Sequence, residues 1–228
     1  MSTARLMQMA AAGVSGGPYS PPTGTILSSF TSPSTGPNGL AYDGANLIVC
    51  DSNTNLIYIQ DGVTSTTLSN FAAPSSSPFG LAFDGTNLIS CDVGTDLIYI
   101  HDGVTSTILS SFASPSTNGG GLAFDGTNLI SCDYSSDLIY IHDGITSTIL
   151  SSFASPSGLP LGLAFDGTNL ISCDLGTDLI YVHDGITSTI LSSFASPSTN
   201  PRGLTHDGTN LISCDYEADR IYIHANAT

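Results

Sequence analysis

The stretch Gly80-Leu-Ala-Phe-Asp-Gly-Thr-Asn-Leu-Ile-Ser-Cys-Asp92 returns almost unchanged from Gly121 and again from Gly162. Its cysteine marks the period: Cys50, Cys91, Cys132, Cys173 and Cys214 follow one another at intervals of 41 residues. Four strands read within one unit, over Leu81–Phe83, Asn87–Cys91, Leu97–His101 and Thr107–Phe112. Between them lie Asp84-Gly85-Thr86-Asn87 and Asp102-Gly103, turn signals because Asp and Gly tolerate the positive φ of tight hairpins. The third strand, Leu97-Ile98-Tyr99-Ile100, is apolar at consecutive positions, as in a sheet covered on both faces. A repeat of this length with four strands per unit is that of a β-propeller blade.

Closure of the ring follows from the repeat phase. The last unit breaks off after its third strand, at Ala225-Asn226-Ala227-Thr228, and its missing fourth strand lies at the other end of the chain. There Thr25-Ile-Leu-Ser-Ser-Phe30 matches Thr107-Ile-Leu-Ser-Ser-Phe112, and residues 24–228 make five units of 41. The expectation is an all-β, five-bladed propeller with four antiparallel strands per 41-residue blade. The N-terminal strand closes the ring and removes a sheet edge that would otherwise invite aggregation. Residues 1–22 form a leader or linker arm, and residues 23–228 the propeller, with the last blade's fourth strand supplied by 25–30.

Composition narrows the function classes. The chain has 228 residues with 3 Lys+Arg against 19 Asp+Glu, a formal net charge of -16. Arg5, Arg202 and Arg220 are its three strong bases. Nucleic acid and anionic membrane surfaces demand clustered positive charge, so neither is an expected partner. With 40% hydrophobic and 10% charged residues the chain folds rather than remaining a disordered acidic tail. No apolar run approaches the ~18 residues of a membrane-spanning helix.

The unit from Gly80 to Asp92, followed by Asp96-Leu-Ile-Tyr-Ile100, resembles an NHL-type propeller blade, which also runs Gly-hydrophobic-Ala-hydrophobic-Asp into a short strand and a polar hairpin. The resemblance extends over all five units and implies a fold, since that repeat carries many functions. Relatives that bind RNA use a basic face, which this chain lacks. Five-bladed lectins of the tachylectin type carry tryptophans, and this chain has none. The leader, Met1-Ser-Thr-Ala-Arg-Leu-Met-Gln-Met-Ala-Ala-Ala-Gly13 and the Gly/Pro-rich residues after it, reads as an arm ahead of a linker or as a short signal peptide interrupted by Gln8. It also resembles the start of structural proteins of marine tailed phages and their metagenomic relatives. A virion component or a cytoplasmic protein is therefore expected ahead of a secreted one.

Residues capable of site chemistry recur once per blade. Five equivalent cysteines stand about 14 Å apart if the second strands lie about 12 Å from the axis, beyond the reach of a disulfide or a shared zinc ion. They read as buried, free small hydrophobes. His101, His142, His183 and His224, with Gln60 in the first unit, end the third strands and read as separate hydrogen-bonded surface residues rather than metal ligands. His206 stands where other units have Tyr42, Phe83, Phe124 and Phe165. Asp92/Asp96, Asp133/Asp137, Asp174/Asp178 and Asp215/Asp219, with Asp51 and Asn55, flank the second hairpin loop, either as turn formers or as calcium ligands. No metal, no cofactor and no catalytic residues are expected: acid–base hydrolysis needs two carboxyl groups in unlike environments, and near-identical repeats make environments alike.

The units differ in two segments. One is the hairpin loop after the second strand (52–54, 93–95, 134–136, 175–177, 216–218), and the other is the inter-blade connection (35–38, 76–79, 117–120, 158–161, 199–202). Both emerge on one face of a propeller, and they carry Phe79, Tyr134, Leu159, Leu161, Leu175, Arg202 and Tyr216. Loops on a rigid scaffold commonly carry binding. The expected function is a non-enzymatic binding module, a monomeric ring whose variable face contacts a glycan, peptide or protein surface. A scaffold propeller without specific ligand is the alternative, and a glycoside hydrolase a more distant one.

Overall fold

The computed structural model describes residues 20–227; the leader reading, with its resemblances, lies outside the described residues up to residue 19. Each repeat folds as one four-stranded antiparallel sheet, and five such blades stand around an axis. The innermost strands are Pro37–Tyr42, Pro78–Phe83, Gly119–Phe124, Pro160–Phe165 and Pro201–His206 in blades 1 to 5. Second strands run over Leu47–Asp51, Leu88–Asp92, Leu129–Asp133, Leu170–Asp174 and Leu211–Asp215. Third strands are Leu56–Gln60, Leu97–His101, Leu138–His142, Leu179–His183 and Arg220–Asn226. The outer strands are Thr67–Ala72, Ile108–Ala113, Ile149–Ala154 and Ile190–Ala195, with Pro22–Thr31 completing blade 5.

Blades pack face to face, so a strand between two neighbours has no wet side. The second strand, Leu-Ile-Ser-Cys-Asp in four blades, is buried along its whole length in all five. Leu88 and Ile89 point to opposite faces of their sheet, yet both are fully buried. Each such side chain contributes about 1.5–3 kcal/mol of hydrophobic stabilisation. In the third strand of blade 2 only Ile98 and His101 are buried, and Leu97, Tyr99 and Ile100 are half-buried, so the unbroken apolar run read over Leu97–Ile100 is sandwiched less completely than the second strand.

The innermost strand begins at Pro78, three residues earlier than the apolar pattern alone indicates. Pro78 pairs with Asp92, and an irregularity in register precedes the Leu81–Ser90 pair. The residues in between include a glycine in every blade (Gly39, Gly80, Gly121, Gly162, Gly203), and the neighbouring blade explains it. A Cβ at Gly121 would lie 2.6 Å from the backbone nitrogen of Leu163, and one at Gly203 would lie 2.7 Å from the carbonyl oxygen of Asn38. Five inner strands converging on one axis leave no room there for a side chain.

Each cysteine sits behind this glycine and ties two blades together. The Gly39, Gly80, Gly121 and Gly203 N–H groups donate to Cys50, Cys91, Cys132 and Cys214 Sγ at 3.1, 3.1, 3.1 and 3.2 Å. The thiols in turn donate to carbonyls of the next blade: Cys50 to Phe79 (3.3 Å), Cys91 to Gly120 (2.9 Å), Cys132 to Pro160 (3.4 Å) and Cys173 to Arg202 (3.2 Å). Cys214 reaches the carbonyl of Pro37 at 3.6 Å and continues the pattern across the closure. All five thiols are free and buried. Burial pushes Cys91 and Cys214 up to about 12, which keeps them protonated as donors and chemically inert.

Closure uses the same register as the hairpins within a blade. Ile26 pairs with His224, Phe30 with Ile221 and Thr31 with Arg220, as Ile108 pairs with His101, Phe112 with Ile98 and Ala113 with Leu97. The closing pair also runs on, with Pro22 opposite Asn226 and the Ala227 N–H donating to Pro21 O at 2.8 Å. Deleting residues 1–30 should strip blade 5 of its outer strand and give aggregation or open oligomers in size-exclusion chromatography, while deleting 1–19 should leave a stable ring. A monomer with unchanged melting temperature after the longer deletion would show that this strand does not hold the ring closed.

Candidate ligand-binding site

The residue immediately before each inner-strand glycine faces the axis at one end of the propeller. Its five occupants all differ: Asn38, Phe79, Gly120, Leu161 and Arg202. Above it, the first residue of each second hairpin loop is Ser52, Val93, Tyr134, Leu175 or Tyr216. Side chains from these two tiers line an open pocket of about 250 Å³. Asn38, Phe79 and Arg202 contribute from the inner strands, Ser52, Val93, Tyr134 and Tyr216 from the hairpin loops, and Ser77 from a connection.

Carboxylates hold both tiers in place. Asp92 Oδ1 accepts from the N–H groups of Gly94 and Thr95 at 2.9 and 3.0 Å, shaping the hairpin, while its Oδ2 accepts from Ser77 N at 2.9 Å, anchoring the connection. Asp133 does the same for Ser135, Ser136 and Asn118, and Asp51 for Asn53, Thr54 and Gly36. The second member of each pair closes the loop in the left-handed region, with φ between 51° and 57° at Asn55, Asp96, Asp137, Asp178 and Asp219. Asp and Asn tolerate that conformation through local hydrogen bonding. Blade 4 departs from the rule. Leu159 has φ 75°, and its N–H turns to Asp137 Oδ1 at 3.1 Å, which leaves Asp174 Oδ2 buried without a partner. Burial accordingly raises the Asp174 carboxyl above the ordinary carboxylate range.

A row of rings and one guanidinium crosses the pocket. Phe79 and Tyr134 stack tilted with centroids 6.1 Å apart. The Arg202 Cζ lies 5.4 Å from the Phe79 centroid and 5.1 Å from that of Tyr216, within cation–π range of both. Tyr134 donates its hydroxyl to Asn118 Oδ1 at 3.0 Å, and Tyr216 donates to Asn53 Oδ1 in blade 1 at 3.1 Å. Burial, with Asp133 nearby, holds the Tyr134 phenol above its usual range, so it keeps its proton. Arg202 Nε donates to Asn200 Oδ1 at 2.9 Å.

Of the seven residues expected on the variable face, Phe79, Tyr134, Arg202 and Tyr216 meet at this pocket; Leu159, Leu161 and Leu175 do not line it. The expectation that all seven sit on solvent-facing loops needs correcting. Phe79, Leu161 and Arg202 belong to the innermost strands, and Phe79 and Leu161 are buried at 8% and 3% exposure. The cause is the earlier start of those strands, which turns their second residue toward the axis. Leu175 packs against the core, and Leu159 remains exposed at 40%. Asn38, Ser52, Ser77 and Val93 complete the lining; being small or polar they give little signal in the sequence beyond falling in its variable segments.

The histidines are not surface residues. His101, His142, His183 and His224 are fully buried. Each places Nδ1 against a backbone carbonyl (Thr105, Thr146 and Thr187 at 2.7 Å, Thr23 at 3.2 Å) and Nε2 against a serine hydroxyl (Ser90, Ser131, Ser172, Ser213) at 2.8–2.9 Å. A carbonyl only accepts, so Nδ1 carries the proton and Nε2 accepts from the serine. Their rings pack on Phe71, Phe112, Phe153 and Phe194 of the preceding blade. Blade 1 breaks this unit: Val49 replaces the serine, and both side-chain polar atoms of buried Gln60 lack partners. At the opposite end of the axis, His206 Nδ1 accepts from Gly208 N at 3.1 Å, and burial lowers the ring's pKa despite Asp166 and Asp207 nearby. Among the described residues no three His, Cys, Asp or Glu side chains converge as a metal site.

No protein-family model matches the sequence, and no curated protein matches it. Its fold is shared with solved structures at low identity. Glutaminyl cyclase of Myxococcus xanthus superposes with a TM-score of 0.77 at 12% identity over 91% of this chain and 98% of the other. The WD40 propeller domain of Doa1 gives 0.56 at 13% identity over 82% and 62% of the two chains. The computationally designed Ika8 protein gives 0.51 at 15% over 83% and 58%. These similarities agree with a β-propeller fold and show nothing finer, the five blades being those of the sheet topology.

Two predictions follow from the buried histidine units. Burial lowers all four pKa values, that of His224 to about 4, so an unfolded chain binds more protons below the free-histidine value of ~6.5. Their stabilisation is complete above about pH 6.5 and is lost as pH falls through each lowered folded value, the His224 contribution of about 3 kcal/mol going as pH falls toward 4. Thermal melts across that window should show a falling melting temperature; a flat profile would mean the rings are charged in the fold. Separately, Val49→Ser with Gln60→His should install the missing unit and stabilise the ring by about 1–3 kcal/mol, read by urea denaturation against wild type. Equal or lower stability would show that blade 1 has no such defect.

Proposed function

We propose that the protein is a non-enzymatic binding module that takes its ligand, a glycan or a protein surface, at the axial pocket of the variable face, acting as a monomeric ring. The observation that carries this reading is the divergence of Asn38, Phe79, Gly120, Leu161 and Arg202 around one axial tier, within units otherwise nearly identical. The rings of Phe79, Tyr134 and Tyr216 supply contact area at little entropic cost. The repeat resembles NHL-type blades, and the resemblance of the leader to phage structural proteins fits a role in contacting a host surface.

The similarity to glutaminyl cyclase favours a second reading, an enzyme acting at the axis on a glutaminyl substrate. General acid–base chemistry draws on a histidine or carboxylate within reach of the reacting atoms. The lining is instead one amide, two serine hydroxyls, three aromatic rings, a valine and one guanidinium, a set suited to holding a ligand. The four Ser–His pairs lie buried between strands, with each serine 1–2% exposed. Probing wild type and the triple variant Tyr134→Ala/Tyr216→Ala/Arg202→Ala on a glycan array and by pull-down tests the proposal. Wild type should retain ligand, and the variant should lose at least roughly tenfold in binding while its melting temperature stays close to wild type, since Phe79 is left in place. Equal binding by the triple variant, or turnover of glutaminyl peptides by wild type, would displace the binding reading.

A further inference from the structure

We infer that the axial pocket takes an acidic sugar, a single hydroxyl-bearing ring with a carboxylate, held between the Arg202 guanidinium and the Asn38 side-chain oxygen; this rests on the binding reading above. Arg202 is one of three strong bases in a chain of net charge -16. Among the described residues its one hydrogen bond is from Nε to Asn200, so both Nη groups remain available. Arg220, by contrast, spends its Nη2 on Ser29 at 2.6 Å. The Phe79 and Tyr216 rings hold the Arg202 plane on two sides, which presents the Nη fork in a set orientation. Such a fork matches a carboxylate with two parallel hydrogen bonds.

Asn38 supplies the second, independent observation. It lines the pocket at 3% exposure, and its Nδ2 donates to Pro78 O at 3.3 Å, but its Oδ1 has no partner. A buried acceptor left unpaired is costly and calls for an O–H or N–H donor. A ligand bearing a carboxylate beside a hydroxyl satisfies Arg202 and Asn38 together. Ser52 and Ser77 add hydroxyls at the wall, and the Tyr134 and Tyr216 oxygens, already donating to asparagines, can still accept. The C–H face of a sugar ring then rests on the aromatic rings.

Size and charge favour this ligand over a peptide terminus. About 250 Å³ lies below the ~300–1,000 Å³ of drug-sized sites and suits one ring. A peptide end offers one N–H beside its carboxylate and asks for a side-chain slot, whereas this lining presents several polar groups spaced around rings. The carboxylates behind the pocket are engaged by backbone N–H groups, and more distant ones are screened over about 8 Å at physiological ionic strength.

Calorimetry and amide NMR on the full chain decide the matter, with glucuronate, N-acetylneuraminate, their methyl esters, glucose and a short peptide with a free C-terminus as probes. One or both acids should bind and shift the Arg202 Nε–H and Asn38 side-chain amide signals. The matching ester should bind roughly tenfold or more weaker, the loss expected for charge-assisted hydrogen bonds. Arg202→Gln should bring acid and ester to equal affinity, and Arg202→Lys should recover part of the difference, since it restores charge without the fork. Esters or glucose binding as tightly as the acids would overturn the acidic-sugar inference and leave the binding reading standing. So would binding by the peptide alone, or an Arg202→Gln variant with unchanged acid affinity. Silence from every probe would overturn the inference as well, and the array comparison then decides the binding reading by itself.

Discussion

Five inner strands meet at the axis closely enough that backbone faces backbone, and the rest of the molecule is arranged around that contact. Glycine is required at one place in each strand because the next blade's carbonyl or amide occupies the position of a Cβ. The thiol behind it accepts from the glycine N–H and donates to the neighbouring carbonyl, so polar groups that close packing would strand are satisfied across every blade interface. Serine or alanine in place of cysteine changes reach or removes the donor. This explains why the one sulfur per unit is constant while its reactivity is suppressed by burial.

Farther out, the same economy of repetition governs the polar interior. Each Ser–His pair spans two strands, anchors the loop carbonyl below and offers its ring to the preceding blade's phenylalanine. In four blades the second-strand aspartate ties a hairpin loop to an inter-blade connection. Residue types that elsewhere signal catalysis or metal binding are here consumed by hydrogen bonds internal to the scaffold. Blade 1 and blade 4 mark where the repetition lapses, at Gln60 and at Leu159, and each lapse leaves a buried polar atom without a partner.

Because the scaffold repeats, a specific site can arise only where the blades differ and where those differences converge. The axial tier meets both conditions: one strand position brings Asn38, Phe79 and Arg202 within one small volume, although Phe79 lies 41 residues after Asn38 and Arg202 a further 123 along the chain. The aspartate clamps then fix the hairpin loops that place Tyr134 and Tyr216 above it. Arg202, one of three strong bases in an acidic protein, lies there against two rings.

Repeat length, blade number and closure by the N-terminal strand were legible from the chain, since periodicity and phase are one-dimensional properties. The variable segments were legible too, as were four of the residues that meet at the pocket. What the tertiary structure decided is which way those residues point and what they touch. Hydrophobic pattern does not register that Pro78 to Gly80 continues a strand, because its partner Asp92 and the crowding Gly120 carbonyl come from elsewhere in the chain. Nor does the phase of His101 reveal its burial, which depends on Phe71 of the blade before it. Sequence order specifies each blade by itself; the axis and the interfaces exist only once five blades have closed, and there the site is made.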